Sequence, residues 1–223
     1  MEETLLALGG AGFADPDARA LDEFALGLTG APRPRVCLLP TACGDATAYI
    51  AAFYRSFGQH AHCSHLSLFQ REPGDMRALL LEQDVLYVGG GSTANLLALW
   101  RLHGVDAIVR EAYAQGILLV GVSAGACALF EAGVSASFGK LAPLNDGLGL
   151  VAGGFAPHYG ERREILLGMV AGGLPRGFGA GEEAGLLFRG GELSEAVATR
   201  AGGRAARLDA GPVEIELGAR VLG

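Results

Sequence analysis

The chain has 223 residues, half of them apolar, with 36 glycines, 7% aromatic residues and a formal net charge of −7. That apolar content supports a sizeable core and excludes a disordered chain, and the glycines follow no collagen-like period. The acidic balance without a basic stripe excludes nucleic acid as an expected partner, and no apolar run approaches the roughly 20 residues of a membrane span.

In chain order, short aliphatic runs alternate with helical patterns. Strands are predicted at Leu5–Leu8, ending in Gly9-Gly10, at Val36–Leu39, ending at Pro40-Thr41, and at Val85–Val88, ending in Gly89-Gly90-Gly91. A fourth, Ile117–Val122, ends in Ser123. Each is bounded by turn residues, as a buried parallel strand should be. Helices are predicted over Asp17–Leu26, after the Asp15-Pro16 cap, and over Ala46–Phe57, Thr93–Leu102, Val105–Ala114, Ala124–Ala132 and Glu161–Val170. Beyond Gly181 come four short runs, Leu186–Phe188, Ala196–Thr199, Ala205–Leu208 and Val213–Leu217, read as antiparallel hairpins at one sheet edge. The alternation predicts a three-layer α/β/α fold around a mainly parallel sheet, one domain over residues 1–223.

The segment Gly121-Val122-Ser123-Ala124-Gly125 fits G-x-S-x-G at a strand-to-helix junction, the setting of a nucleophile elbow. Small flanking residues let backbones pass closely, and the helix start aims amides at a developing oxyanion. The plainer reading is a tight turn with an N-capping serine. A serine nucleophile needs a base. Of five histidines only His158 follows Ser123, 35 residues on, in the loop signature Ala-Pro-His-Tyr-Gly. That spacing leaves no room for the nucleophile-acid-histidine order of the α/β-hydrolases, so an acid after His158 is expected. Glu182 can orient the imidazole from a strand edge, although the pair Glu182-Glu183 also reads as a solvated turn. The amides of Gly90 and Gly91, with that of Ala124, are candidate oxyanion donors. Gly89–Ala94 also fits the dinucleotide pattern G-x-G-x-x-A, or a simple βα turn.

Other groups read as structural. His60, His62 and His65 resemble a metal tract without a carboxylate, and no metal or cofactor is expected. The N-terminus Met-Glu-Glu-Thr has no leader pattern. The four cysteines, Cys37, Cys43, Cys63 and Cys127, have neither metal-ligand nor scaffold spacing, so a cytoplasmic protein with reduced thiols is expected.

With these residues in place, the chain resembles peptidase E and its relatives, which include cyanophycinase. The likeness is densest in Val88-Gly-Gly-Gly-Ser-Thr-Ala-Asn-Leu96, Gly121-Val-Ser-Ala-Gly-Ala126, Asp146-Gly-Leu-Gly-Leu150 and Pro157-His158-Tyr159. The resemblance implies a flavodoxin-like domain related to class I glutamine amidotransferases, Ser123 as nucleophile, His158 as base and Glu182 as the third member. It also aligns Glu161-Arg162-Arg163-Glu164 with the family's Glu-x-Arg-Glu, placing Arg163 where the aspartyl dipeptidase holds the substrate's aspartate. One departure is Ser135-Ala136-Ser137-Phe138, which carries no acid where the enteric enzyme has an aspartate. The expected activity is serine-type hydrolysis of short peptides, with Asp-X dipeptides as one candidate substrate. An esterase or amidase using the same serine, and a non-catalytic small-molecule binder on this fold, are the alternatives. Oligomeric state is left open.

Overall fold

The computed structural model describes residues 2–10, 12–69, 74–209 and 213–223. Five parallel strands form the heart of one sheet: β1 (Thr4–Leu8), β2 (Arg35–Leu39), β3 (His62–His65), β4 (Val85–Val88) and β5 (Leu118–Val122). They lie side by side in the order β1-β5-β4-β2-β3. After β5 the chain begins a second sheet with β6 (Phe130–Ser135), β7 (Ala142–Leu144), β8 (Val151–Pro157) and β9 (Arg176–Ala180). It then returns to the first sheet, where β10 (Ala184–Arg189) runs antiparallel to β1 and pairs on its other side with β11 (Glu192–Ala198). Strands β12 (Ala205–Asp209) and β13 (Val213–Glu216) extend the second sheet beyond β9, and β14 (Arg220–Val221) closes the edge of the first beside β11.

The central strands are buried on both faces, which explains their unbroken aliphatic runs. From β1, Leu5 and Ala7 enter one core while Leu6 and Leu8 enter the other. Each such leucine contributes about 1.5–3 kcal/mol by leaving water. Helices α1 (Arg19–Gly27) and α2 (Thr47–Phe57) cover the Leu6 face through Leu21, Ala25, Phe53 and Phe57. The opposite face packs against α3 (Met76–Leu81), α4 (Thr93–His103), α5 (Val105–Ala114) and α6 (Ala124–Leu129). Helices on both faces of a mostly parallel sheet match the expected architecture.

The second sheet carries Phe130, Phe155 and Phe178 into the same core as α4 and α6. Its outer face, with Val134, Ala156 and Leu208, is covered by α7 (Tyr159–Ala171). Two expectations are corrected here. The helix read as Ala124–Ala132 stops at Leu129, because Phe130 and Ala132 pair with β8 and Gly133–Ser135 with β7, tertiary pairing that overrides local helix propensity. The C-terminal strands form two antiparallel hairpins, β10–β11 and β12–β13, but not at one sheet edge. β10 and β11 belong to the first sheet, whereas β12 and β13 belong to the second.

Candidate active site

The carboxyl-terminal ends of both sheets meet beside β1. Ser123 follows β5 directly and adopts φ 50°, ψ −108°, a strained conformation for a residue with a side chain. Close packing maintains it. A Cβ on Gly121 would lie 2.7 Å from the Ala126 Cα, and one on Gly125 would lie 2.3 Å from the Val88 carbonyl oxygen. The Ser123 amide donates to the Leu8 carbonyl at 3.0 Å, and the Ser123 carbonyl accepts from the Cys127 amide at 3.0 Å. Strand and helix are thus stapled on either side of the hydroxyl.

His158 follows β8 in the left-handed region, with φ 50° and ψ 47°, and caps the start of α7. Its amide donates to the Gly9 carbonyl at 3.0 Å. Glu182 follows β9, the parallel neighbour of β8, in the short turn leading into β10. The three side chains line up. Ser123 Oγ lies 2.8 Å from His158 Nε2, and His158 Nδ1 is hydrogen-bonded to Glu182 Oε1. Beside a carboxylate, which only accepts, a neutral imidazole would carry its hydrogen on Nδ1 and turn the Nε2 lone pair to the serine hydroxyl. Of the two adjacent glutamates, Glu182 reaches the imidazole, whereas Glu183 pairs with Arg200.

The glycine turn after β4 flanks the serine. A Cβ on Gly90 would lie 3.5 Å from the Ser123 Cβ. Gly91, at φ 141°, packs so tightly on the Thr41–Cys43 turn that a Cβ would lie 2.2 Å from the Ala42 carbonyl oxygen. This contact accounts for the glycine without a bound phosphate. Ser137 Oγ accepts from the Ala94 amide at 3.1 Å and lies 2.7 Å from Ser135 Oγ, so the acid-free β6–β7 connection docks on the start of α4 beside this turn. Asp146 is held bidentately by Arg101, and the Asn95 amide donates to the Ser92 hydroxyl that caps α4.

Arg163 lies one helical turn beyond Tyr159, and both reach Glu214 on β13. The Arg163 guanidinium also pairs with Glu164. Tyr159, Arg163, Arg204, Glu214 and Glu216 line a cleft of about 470 Å³. Glu214 is held below the usual carboxylate range, chiefly by hydrogen bonding to Arg163 and also to Tyr159. The histidines of β3 stand apart, with His65 Nδ1 2.9 Å from the Tyr54 hydroxyl. All four cysteines are free thiols, Cys37 and Cys127 being fully buried. No helix among the described residues is long and apolar enough to cross a membrane.

A serine on a sharp strand-to-helix turn, backed by imidazole and carboxylate on an α/β scaffold, is a site of the hydrolase class. Residues 5–195 match the model of peptidase family S51, and the chain belongs to that family. It is 42% identical over 211 residues to YgaJ of Bacillus subtilis (strain 168), named an uncharacterized peptidase, covering 92% of this chain and 91% of that protein. Its fold is similar to that of a peptidase from an acI-B1 Actinobacterium, at TM-score 0.70 and 19% identity, with 98% of this chain and 95% of that one covered. A Listeria monocytogenes EGD-e protein assigned provisionally to peptidase E gives TM-score 0.67 at 22% identity, over 89% of this chain and 99% of that one.

Proposed function

We propose that this peptidase is serine-type and cleaves short peptides through an acyl-enzyme. The observation that carries the reading is the 2.8 Å contact between Ser123 Oγ and His158 Nε2, made by a serine in a strained turn. His158 takes the hydroxyl proton as Oγ attacks the peptide carbonyl carbon, and Glu182 steadies the resulting imidazolium. The amides of Ala124, Gly90 and Gly91 are the proposed oxyanion donors, a reading supported by the close approach of Gly90 to the Ser123 side chain. His158 then passes its proton to the leaving amine. In the second half, a water gives a proton to His158 and its oxygen to the acyl carbon, and His158 returns the proton to Ser123 as the acid departs.

A substrate of the Asp-X type would bring a carboxylate to the Arg163 cleft, where Glu214 already occupies the guanidinium. An acidic side chain therefore binds there by sharing or displacing Glu214, and the acidic preference is weaker than an unpaired arginine would give. The test is a peptide-library cleavage profile, including Asp-X dipeptides, of wild type beside Ser123→Ala. Cleavage by wild type and none by the variant is expected. Undiminished cleavage by Ser123→Ala would remove the mechanism, and hydrolysis of p-nitrophenyl esters alone would replace the peptide substrate by an ester.

A further inference from the structure

The Glu182 side chain is 56% exposed, and among the described residues His158 is its one hydrogen-bond partner. An exposed carboxylate on a freely rotating side chain holds an imidazole poorly, because water competes for both groups and ordering the side chain costs entropy. Something other than its own contacts must therefore fix where Glu182 begins, and the backbone around Gly9 and Gly10 does so. The Gly9 amide donates to the Ala184 carbonyl at 3.0 Å, two residues beyond Glu182. A Cβ on Gly9 would lie 2.2 Å from the Ala180 carbonyl oxygen and 2.3 Å from that of Gly181. A Cβ on Gly10 would lie 2.2 Å from the Glu182 carbonyl oxygen and 2.9 Å from its Cα. Gly10 has no positive φ, so space alone demands the missing side chain there. The same stretch accepts the amides of Ser123, at Leu8, and of His158, at Gly9.

We propose that Gly10 is a positioning residue for the Ser123-His158-Glu182 array, setting the Glu182 backbone by close contact so that an exposed carboxylate meets the imidazole. The inference rests on the serine-peptidase reading above. A methyl group at Gly10 must push the Glu182 backbone by about 1 Å to reach ordinary contact, a displacement that costs an oriented catalytic group about 10²-fold.

The experiment is a double-mutant cycle of Gly10→Ala and Glu182→Ala, read as the rate at which a fluorophosphonate probe phosphonylates Ser123 with loss of fluoride. Folding is checked by circular dichroism. Gly10→Ala is expected to slow phosphonylation about 10²-fold in the wild-type background and less than about 2-fold in the Glu182→Ala background. Wild-type rate in the single variant, or an equal loss in both backgrounds, would overturn the proposal. If Gly10→Ala does not fold, Gly10→Ala with Glu182→Gly takes its place, since a glycine at residue 182 lets the backbone yield. Recovery of fold, with the rate of Glu182→Gly alone, supports the contact. Failure to fold in both backgrounds puts the cost of the methyl group elsewhere and overturns it. If the probe labels Ser123→Ala as fast as wild type, the serine reading itself has failed. Loss of labelling in Ser123→Ala with an inert Gly10→Ala removes the positioning role alone.

Discussion

The backbone carbonyl of Gly9 accepts the amide hydrogen of His158 at 3.0 Å, tying the central strand of one sheet to the helix start that follows a strand of the other. The preceding carbonyl, of Leu8, accepts the Ser123 amide at the same distance. Two consecutive carbonyls thus set the separation of serine and imidazole before any side chain acts.

Serine and histidine in one proton-transfer unit do not contribute independently. Ser123→Ala and His158→Ala are each expected to lower kcat by about 10⁴-fold or more, and the double variant by no more than the worse single one. Turnover of the best library peptide measures this. Multiplying losses would show that the two residues do not act together.

Gly125 lies in α6, where alanine would ordinarily stabilise a helix. Here a Cβ would lie 2.3 Å from the Val88 carbonyl oxygen and 2.8 Å from that of Gly89. Gly125→Ala is expected to destabilise the fold by about 1–3 kcal/mol and to lower kcat by moving the Gly89–Gly91 turn. Denaturant unfolding and turnover, measured on the same preparation, test both effects.

Asp22 lies on the buried face of α1 and accepts from the Tyr87 hydroxyl at 2.7 Å. Burial pushes its carboxyl from the ordinary range up to about 7, against the lowering effect of the Tyr87 hydrogen bond, and Glu23 adds to the rise. The sign follows from proton counts. Below about pH 4 both the folded and unfolded chains hold the proton. Between there and about pH 7 the unfolded chain loses it first, so stability falls as pH rises and then levels off. Asp22→Asn is expected to remove this fall. Urea unfolding of both proteins at pH 5 and pH 8 measures it, and equal pH dependence in the two would refute the assignment.

Glu214 competes for Arg163, so its removal is informative. Glu214→Ala is expected to lower KM for an Asp-X dipeptide several-fold, and Arg163→Met to raise it about tenfold, with the corresponding Asn-X peptide little affected. An unchanged KM in both variants would separate this cleft from substrate binding.

Much of the scaffold is legible in local chemistry. Aliphatic runs of four to six residues, closed by glycine or proline in β1, β2 and β4 and by Ser123 in β5, mark these strands, because strands buried on both faces must be apolar throughout. Ser123 and His158 are recognisable from residue type, turn context and chain order. Tertiary structure alone decided the rest. Phe130–Ser135 follows a helix without a break signal, and only pairing with β7 and β8 makes it a strand. Glu182 is the candidate acid in the sequence, where the Glu182-Glu183 pair also reads as a solvated turn, and only the fold turns Glu182 toward His158 and Glu183 toward Arg200. Gly9 and Gly10 read as an ordinary turn until the turn before β10, more than 170 residues later, is packed against them. Periodicity and turn chemistry act over a few residues, whereas strand partners and backbone contacts are set by which distant segments the core brings together.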